Sequence, residues 1–206
     1  MPQTPHYKLT YFNIHGLAEP IRLIFAQAGE KYEDERLDDA AWQERKQSTP
    51  NGQLPLLEVD GKVLPQSKAI STYLAKQFGL NGQDDWEAAQ IQAAIAGLDD
   101  VKTQARTYRE ENIPKKAELF QKLEHDVLLP YLNRLEKVLA ENGTGYFVGS
   151  HVTQADLHLF DYLKRFNDSG LISPALKKMP NLVKFIDTIG NLPKIKEWLE
   201  HRPKTH

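Results

Sequence analysis

The chain has 206 residues, is 40% hydrophobic and 26% charged, and carries a formal net charge of −2, which allows one large soluble domain or two small ones. This charge balance, with no long basic block, argues against nucleic acid or an anionic membrane as the main partner, and no apolar run approaches the roughly 20 residues that span a bilayer. Cysteine is absent, which excludes disulfides, thiolate metal sites and a protein-borne thiol nucleophile.

The start, Met1-Pro2-Gln3-Thr4-Pro5-His6, lacks the apolar core of a signal peptide, so a cytoplasmic location is expected. The histidines are scattered without metal-ligand spacing, and no metal is expected. Asn142-Gly143-Thr144 and Asn167-Asp168-Ser169 match the glycosylation sequon; without a secretion signal both read as chance matches.

In chain order, Tyr7-Lys8-Leu9-Thr10-Tyr11-Phe12 reads as a strand. Ile21, Ile24, Phe25 and Ala28 follow the helical period, and Gly29 closes that helix. Residues 32–37 read as a second strand and 40–47 as a weaker helix, on which Trp42 and Lys46 share a face. An indole N–H and an ammonium on one face suit a carboxylate; a half-buried Trp beside a solvated Lys is the structural alternative.

The stretch from Gly52 through Gln53, Leu54 and Pro55 to Gln66 and Ser67 is the densest in signals. Leu54-Pro55 stands just before a strand, where a cis bond would turn the Leu54 backbone towards an extended peptide. Asp60-Gly61 is a two-residue hairpin turn. Ser67 is the expected N-cap of a helix through Ala69, Ile70, Tyr73 and Leu74, whose free N–H groups would attract an anion. Residues 7–79 thus alternate strand and helix, implying a sheet flanked by helices.

Residues 79–84 are a polar boundary, and from 85 onward the pattern is helical. Ile91, Ala94, Ile95 and Leu98 keep the period, as do Leu119, Leu123 and Val127, then Leu128, Leu132, Leu135 and Leu139. Pro130 should kink that long helix. Thr153-Gln154-Ala155-Asp156 is a capping-box start, and 181–189 and 193–200 supply two more helices. Asp99-Asp100 lies within the first helix of this half, as a solvated pair or as an acid that meets a ligand ammonium.

These residues, in this order and spacing, resemble the cytosolic glutathione S-transferases, specifically the sigma class and its close invertebrate relatives. The likeness covers nearly the whole chain. It rests on Tyr7 to Phe12, Trp42 with Lys46, Gly52 to Ser67, Leu98-Asp99-Asp100, and Gly149-Ser150-His151-Val152-Thr153-Gln154-Ala155-Asp156. It implies an α/β thioredoxin-like domain over 1–80, an all-helical domain over 84–206, and a homodimer. It assigns Tyr11 the hydroxyl that hydrogen-bonds the glutathione sulfur, Trp42 and Lys46 the glycyl carboxylate, and Leu54 before a cis Pro55 the cysteinyl backbone. Gly52 and Gln53 belong to the same loop. Gln66 and Ser67 would hold the γ-glutamyl carboxylate, and Asp100 from the partner chain the γ-glutamyl amine.

The implied reaction joins the glutathione thiolate to an apolar electrophile, as in detoxification. The electrophile would lie between the domains, against Phe12, Leu17, Thr107 and Tyr108. Three departures from the family pattern bear on this. Relatives often carry Arg where this chain has His15 and Leu17. The vertebrate prostaglandin D synthases of the class have an Asp where this chain has Ala96, and a Trp where it has Thr107. A glutathione-dependent isomerase or peroxidase is the enzymatic alternative. A ligand carrier or crystallin-like protein is the non-enzymatic one; the helical half lacks the insertion that lens crystallins carry.

Overall fold

The computed structural model describes residues 5–107, 116–170 and 172–205. The chain divides into two compact units, Met1–Leu80 with Leu192–His206, and Asn81–Asn191.

The first unit is built on four strands, β1 (Tyr7–Phe12), β2 (Glu33–Leu37), β3 (Leu56–Val59) and β4 (Lys62–Pro65), in the order β2-β1-β3-β4. β1 is parallel to β2 and antiparallel to β3, which pairs antiparallel with β4. The parallel pair needs a crossover, supplied by α1 (Glu19–Ala28). Ile21, Leu23, Ile24 and Phe25 of α1 are fully buried with Leu9 and Leu57, which face each other across β1 and β3. Asp60 and Gly61 both take positive φ, 48° and 82°, the turn whose twist matches that of its strands. α2 (Asp39–Arg45) runs on into a 3-10 turn at Lys46–Ser48, and the Asp38 carboxylate caps it by accepting from the Ala41 N–H at 2.8 Å.

α3 (Ser67–Gln77) packs beside α1 and buries Ile70 and Leu74. Its cap differs from the expectation. The Gln66 carbonyl accepts the first helical bond, from Ile70 N–H at 2.9 Å, and Gln66 stands at φ 76°. Gln66 is therefore the N-cap and Ser67 the first helical residue.

The second unit contains α4 (Asp85–Thr107), α5 (Lys116–Leu123), α6 (Leu129–Asn142), α7 (Gln154–Asp168), α8 (Ser173–Leu176) and α9 (Pro180–Gly190), with no strand among its described residues. α7 is buried from Gln154 through Leu163 and packs against α4 and α9. Its capping box forms: Asp156 Oδ2 accepts from Thr153 N–H at 2.7 Å and Thr153 Oγ1 at 2.9 Å, and Oδ1 accepts from Phe147 N–H at 2.9 Å. Burial pushes the Asp156 carboxyl up to about 6 despite these donors. The disturbance expected at Pro130 takes the form of a π-helical turn, Glu124–Leu128, closed by Leu129 N–H on the Glu124 carbonyl. Pro130 then sits in the first turn of α6. A proline ring crowds the carbonyl four residues back, and the wider turn makes room for it. Glu136 of α6 caps α9 from outside, accepting from the N–H groups of Asn181 and Leu182 at 3.0 and 2.9 Å. The Asn142 amide nitrogen contacts Thr144 Oγ1, the Tyr146 carbonyl and the Gly149 carbonyl at 2.7–2.9 Å, so this sequon match holds its own loop.

α10 (Pro193–His201) returns to the first unit and lies antiparallel along α1. Lys194 Nζ donates to the Ala28 carbonyl at one end of α1, and Trp198 Nε1 donates to Glu19 at the other. The segment from Leu192 onward, helical as its pattern predicts, groups by its contacts with the first unit. Among the described residues, no helix is long and apolar enough to cross a membrane.

Candidate functional site

Thr10 pairs with Leu56, so the end of β1 lies beside the start of β3 and the Leu54-Pro55 bond. A cavity of about 330 Å³ opens there, walled by Phe12, Leu17, Trp42, Lys46, Gly52, Gln53, Leu54, Pro55, Gln66 and Ser67. The first unit therefore gathers every residue expected to bind glutathione, except Tyr11 and Asp100, into one wall. The Leu54-Pro55 bond is cis, and Pro55 is buried.

Each wall segment is held in place by its own contacts. Trp42 is buried with its ring edge-on to Phe12, centroids 5.8 Å apart. Lys46 follows one turn later and is exposed, an ammonium free to meet an anion. The end of α2 is tied to the sheet through Glu35, which accepts from Arg45 and from Thr10 Oγ1 at 2.8 Å and meets Lys8 at 3.2 Å. Partial burial opposes charge on Glu35, but these donors hold its carboxyl below the ordinary range. At the opposite wall the Gln66 amide nitrogen lies 3.4 Å from the Gln53 side-chain oxygen. Behind Gln66, the free N–H groups and the dipole of α3 favour a carboxylate.

Tyr11 is buried just behind the wall. Its hydroxyl oxygen accepts from the Leu17 N–H at 3.2 Å, leaving its own proton for another acceptor. Gly16 lies directly over the ring: a Cβ there would stand 2.6 Å from the Tyr11 oxygen, and Gly16 has φ +46°. Glycine is required at this position by close approach and by conformation.

Sequence reasoning passed over the groups that hold residues 13–18. Arg22 Nη1 donates to the Ile14 carbonyl at 2.9 Å, and Arg36 Nη1 to Asn13 Oδ1 at 3.1 Å. The available signal was the Glu19, Arg22 pair, i and i+3 on a helix whose neighbouring residues are apolar. Of the remaining expected residues, Asp100 is exposed on α4 in the second unit. Thr107 ends α4 with its side chain beyond the description, and Tyr108 lies outside the described residues. Among the described residues, no group of three or more His, Asp and Glu is placed to hold a metal ion.

Two family descriptions match the chain: the glutathione S-transferase N-terminal domain over residues 7–76 and the glutathione S-transferase C-terminal domain over 98–202. The chain is 44% identical over 205 residues to glutathione S-transferase 1 of Ascaris suum, covering 98% of each. It is 38% identical over 208 residues to the hematopoietic prostaglandin D synthase of Gallus gallus, again covering 98% of each. The crystal structure of monomeric Na-GST-3, a glutathione S-transferase of the hookworm Necator americanus, superposes with a TM-score of 0.86 at 35% identity, covering 97% of this chain and 98% of that one. The chain belongs to the glutathione S-transferase family, with a thioredoxin-like domain followed by a helical one, and is a transferase that takes glutathione as its co-substrate.

Proposed function

We propose that the cavity holds glutathione extended from Lys46 to the start of α3, and that Tyr11 activates its thiol for attack on apolar electrophiles. The observation that carries this reading is the Tyr11 hydroxyl. Tyr11 is buried, and its hydroxyl accepts from the N–H of Leu17, itself a residue of the cavity wall, while its own proton stays free. The glycyl carboxylate meets Lys46 and the Trp42 indole. The cysteinyl backbone runs past Leu54 and Pro55, with Gly52 and Gln53 beside it. The γ-glutamyl carboxylate meets Gln66, Ser67 and the N–H groups of α3.

The energetics divide the work. A free thiol with pKa near ~8.5 is only a few per cent thiolate at neutral pH. Full ionisation gains roughly thirtyfold, about 2 kcal/mol. Lowering the thiol pKa by about two units returns roughly tenfold of that through weaker nucleophilicity. Most of the acceleration then comes from holding the electrophile against sulfur, with Phe12 and Leu17 of the cavity wall as its apolar surface. The thiol proton leaves to solvent, the sulfur–carbon bond forms, and the displaced group departs.

The enzyme is read as a sigma-type, cytosolic detoxification transferase that works as a homodimer, in which Asp100 of each chain meets the γ-glutamyl ammonium bound by the other. Its exposure on α4 leaves it available for that contact. A second reading, glutathione-dependent isomerisation, is favoured by the 38% identity to a prostaglandin D synthase. Thiol balance separates the two, since conjugation consumes glutathione and isomerisation returns it. The test of Tyr11 is the pH–rate profile of aryl-halide conjugation. Tyr11→Phe should move the rise in rate to higher pH and lower the rate at pH 6.5 by about fivefold, the loss of thiolate being partly offset by its greater nucleophilicity; an unchanged profile would remove Tyr11 from the chemistry.

A further inference from the structure

Glu19 and Arg22 line no part of the cavity, yet both are fully buried, 3.3 Å apart in the first turn of α1. A buried carboxylate and guanidinium persist only where other groups satisfy them. Here partners come from two sides, and among the described residues only Arg22 Nη2 of the pair is left without one. On one side, Glu19 Oε1 accepts from Trp198 Nε1 at 2.8 Å and from Arg202 Nη1 at 2.7 Å, at the C-terminal end of α10. On the other, Arg22 donates to Asp34 at 3.2 Å and to the Ile14 carbonyl at 2.9 Å. Arg36 bridges Asp34, at 2.7 Å, to Asn13. Burial works against the charge on Glu19, but Trp198, Arg202 and the nearby His15 hold its carboxyl below the ordinary range.

Ala18 is fully buried, but the rest of residues 13–18 has little apolar anchorage, since Ile14 and Leu17 are 41% and 42% exposed. Polar tethers place this segment: Arg36 on Asn13, Arg22 on Ile14, and the Glu19 N–H on the His15 carbonyl at 2.9 Å. Its far end delivers the Leu17 N–H to the Tyr11 hydroxyl.

We propose that α10 is a strap that sets Tyr11: Trp198 and Arg202, acting through Glu19 and Arg22, hold residues 13–18 so that the Leu17 N–H stays on the Tyr11 oxygen. An N–H on that oxygen withdraws charge from the phenol and strengthens the hydrogen bond it gives to sulfur. Trp198, Arg202, Glu19 and Arg22 are positioning residues, and the inference rests on the role of Tyr11 proposed above.

The experiment titrates the thiolate absorbance of glutathione bound to the full chain. Arg202→Met and Trp198→Phe should each raise the bound-thiol pKa by about half a unit, a roughly threefold loss of thiolate below that pKa. Affinity for S-methylglutathione, which has no ionisable thiol, should stay within twofold, and Arg202→Lys should restore much of the shift. Lys194→Ala loosens α10 at the other end of α1, where Lys194 meets the Ala28 carbonyl at 3.0 Å, and should leave the titration unchanged. Glu19→Gln is the stronger variant but endangers folding, which is why the tail substitutions carry the test. Tyr11→Phe separates the two claims. If it shifts the titration and the tail variants do not, the strap is wrong and the Tyr11 reading stands. If the tail variants shift it equally in the Tyr11→Phe background, their effect bypasses Tyr11 and the strap is again wrong. If Tyr11→Phe itself shifts nothing, both claims fall.

Discussion

Each unit buries a carboxylate in the first turn of a helix: Glu19 in α1 and Asp156 in α7, both fully inaccessible. Glu19 is met by the cations Arg22 and Arg202 and by an indole N–H. Asp156 is met only by neutral donors, two backbone N–H groups and a hydroxyl. Burial raises both carboxyls; at Glu19 the Trp198 indole N–H, the hydrogen-bonded Arg202 and the nearby His15 outweigh it, so Glu19 ends below its ordinary range and Asp156 at about 6. The neutral donors of the capping box do not offset the burial of Asp156, whereas an indole N–H together with a hydrogen-bonded guanidinium does so at Glu19.

The two should therefore respond to pH in opposite directions. Asp156 favours its proton in the folded state, so its contribution is complete below the ordinary aspartate value of 3.8 and is lost as pH rises through about 6, by roughly 3 kcal/mol. Glu19 favours its charge in the folded state, so its contribution is complete above the ordinary carboxylate range and is lost as pH falls through its depressed value. The largest expected effect is Asp156→Ala, which strands three donors and removes a helix cap; urea unfolding should show a loss of about 3–5 kcal/mol. Neutral isosteres expose the sign. Asp156→Asn should cost more near pH 4 than at pH 7, and Glu19→Gln more at pH 7 than near pH 4, by about 2–4 kcal/mol at its greatest. Parallel pH slopes in unfolding experiments would break the comparison.

Smaller effects sharpen it at the site. Gly16→Ala puts a methyl against the Tyr11 hydroxyl at a positive φ. Conjugation at pH 6.5 should fall about tenfold, corresponding to ~1.4 kcal/mol. Lys46→Ala removes one exposed cation from the cavity wall; KM for glutathione should rise about threefold with kcat nearly unchanged, since only ground-state binding is lost. Initial-rate kinetics check both. The Asp156 variants should leave the bound-thiol titration where it is.

Much of this arrangement was legible in the residues because its signals are local. The α7 cap is spelled by Thr153 to Asp156, the hairpin by Asp60-Gly61, and the cavity wall by a run of residues between Gly52 and Ser67 with Trp42 and Lys46 one turn apart. Boundaries failed where a single backbone angle decides: Gln66 at φ 76° moves the α3 cap back by one residue. The strain at Pro130 was visible, but its relief by a π turn depends on the whole helix around it. The bond from Arg202 to Glu19 joins positions 183 apart. Helical period marks out the two helices near these residues and says nothing of their meeting. For the same reason the packing of the tail against α1 is not written in its helical pattern, although the family's C-terminal domain extends over it to residue 202.

The most direct test of the central claim is a spectroscopic titration of bound glutathione in the wild-type chain beside Tyr11→Phe. The account predicts a thiol that ionises about two units below its free value in the wild type and returns most of the way towards it in the variant. A wild-type thiol that titrates near ~8.5, or a depressed value that survives the loss of the Tyr11 hydroxyl, would contradict it.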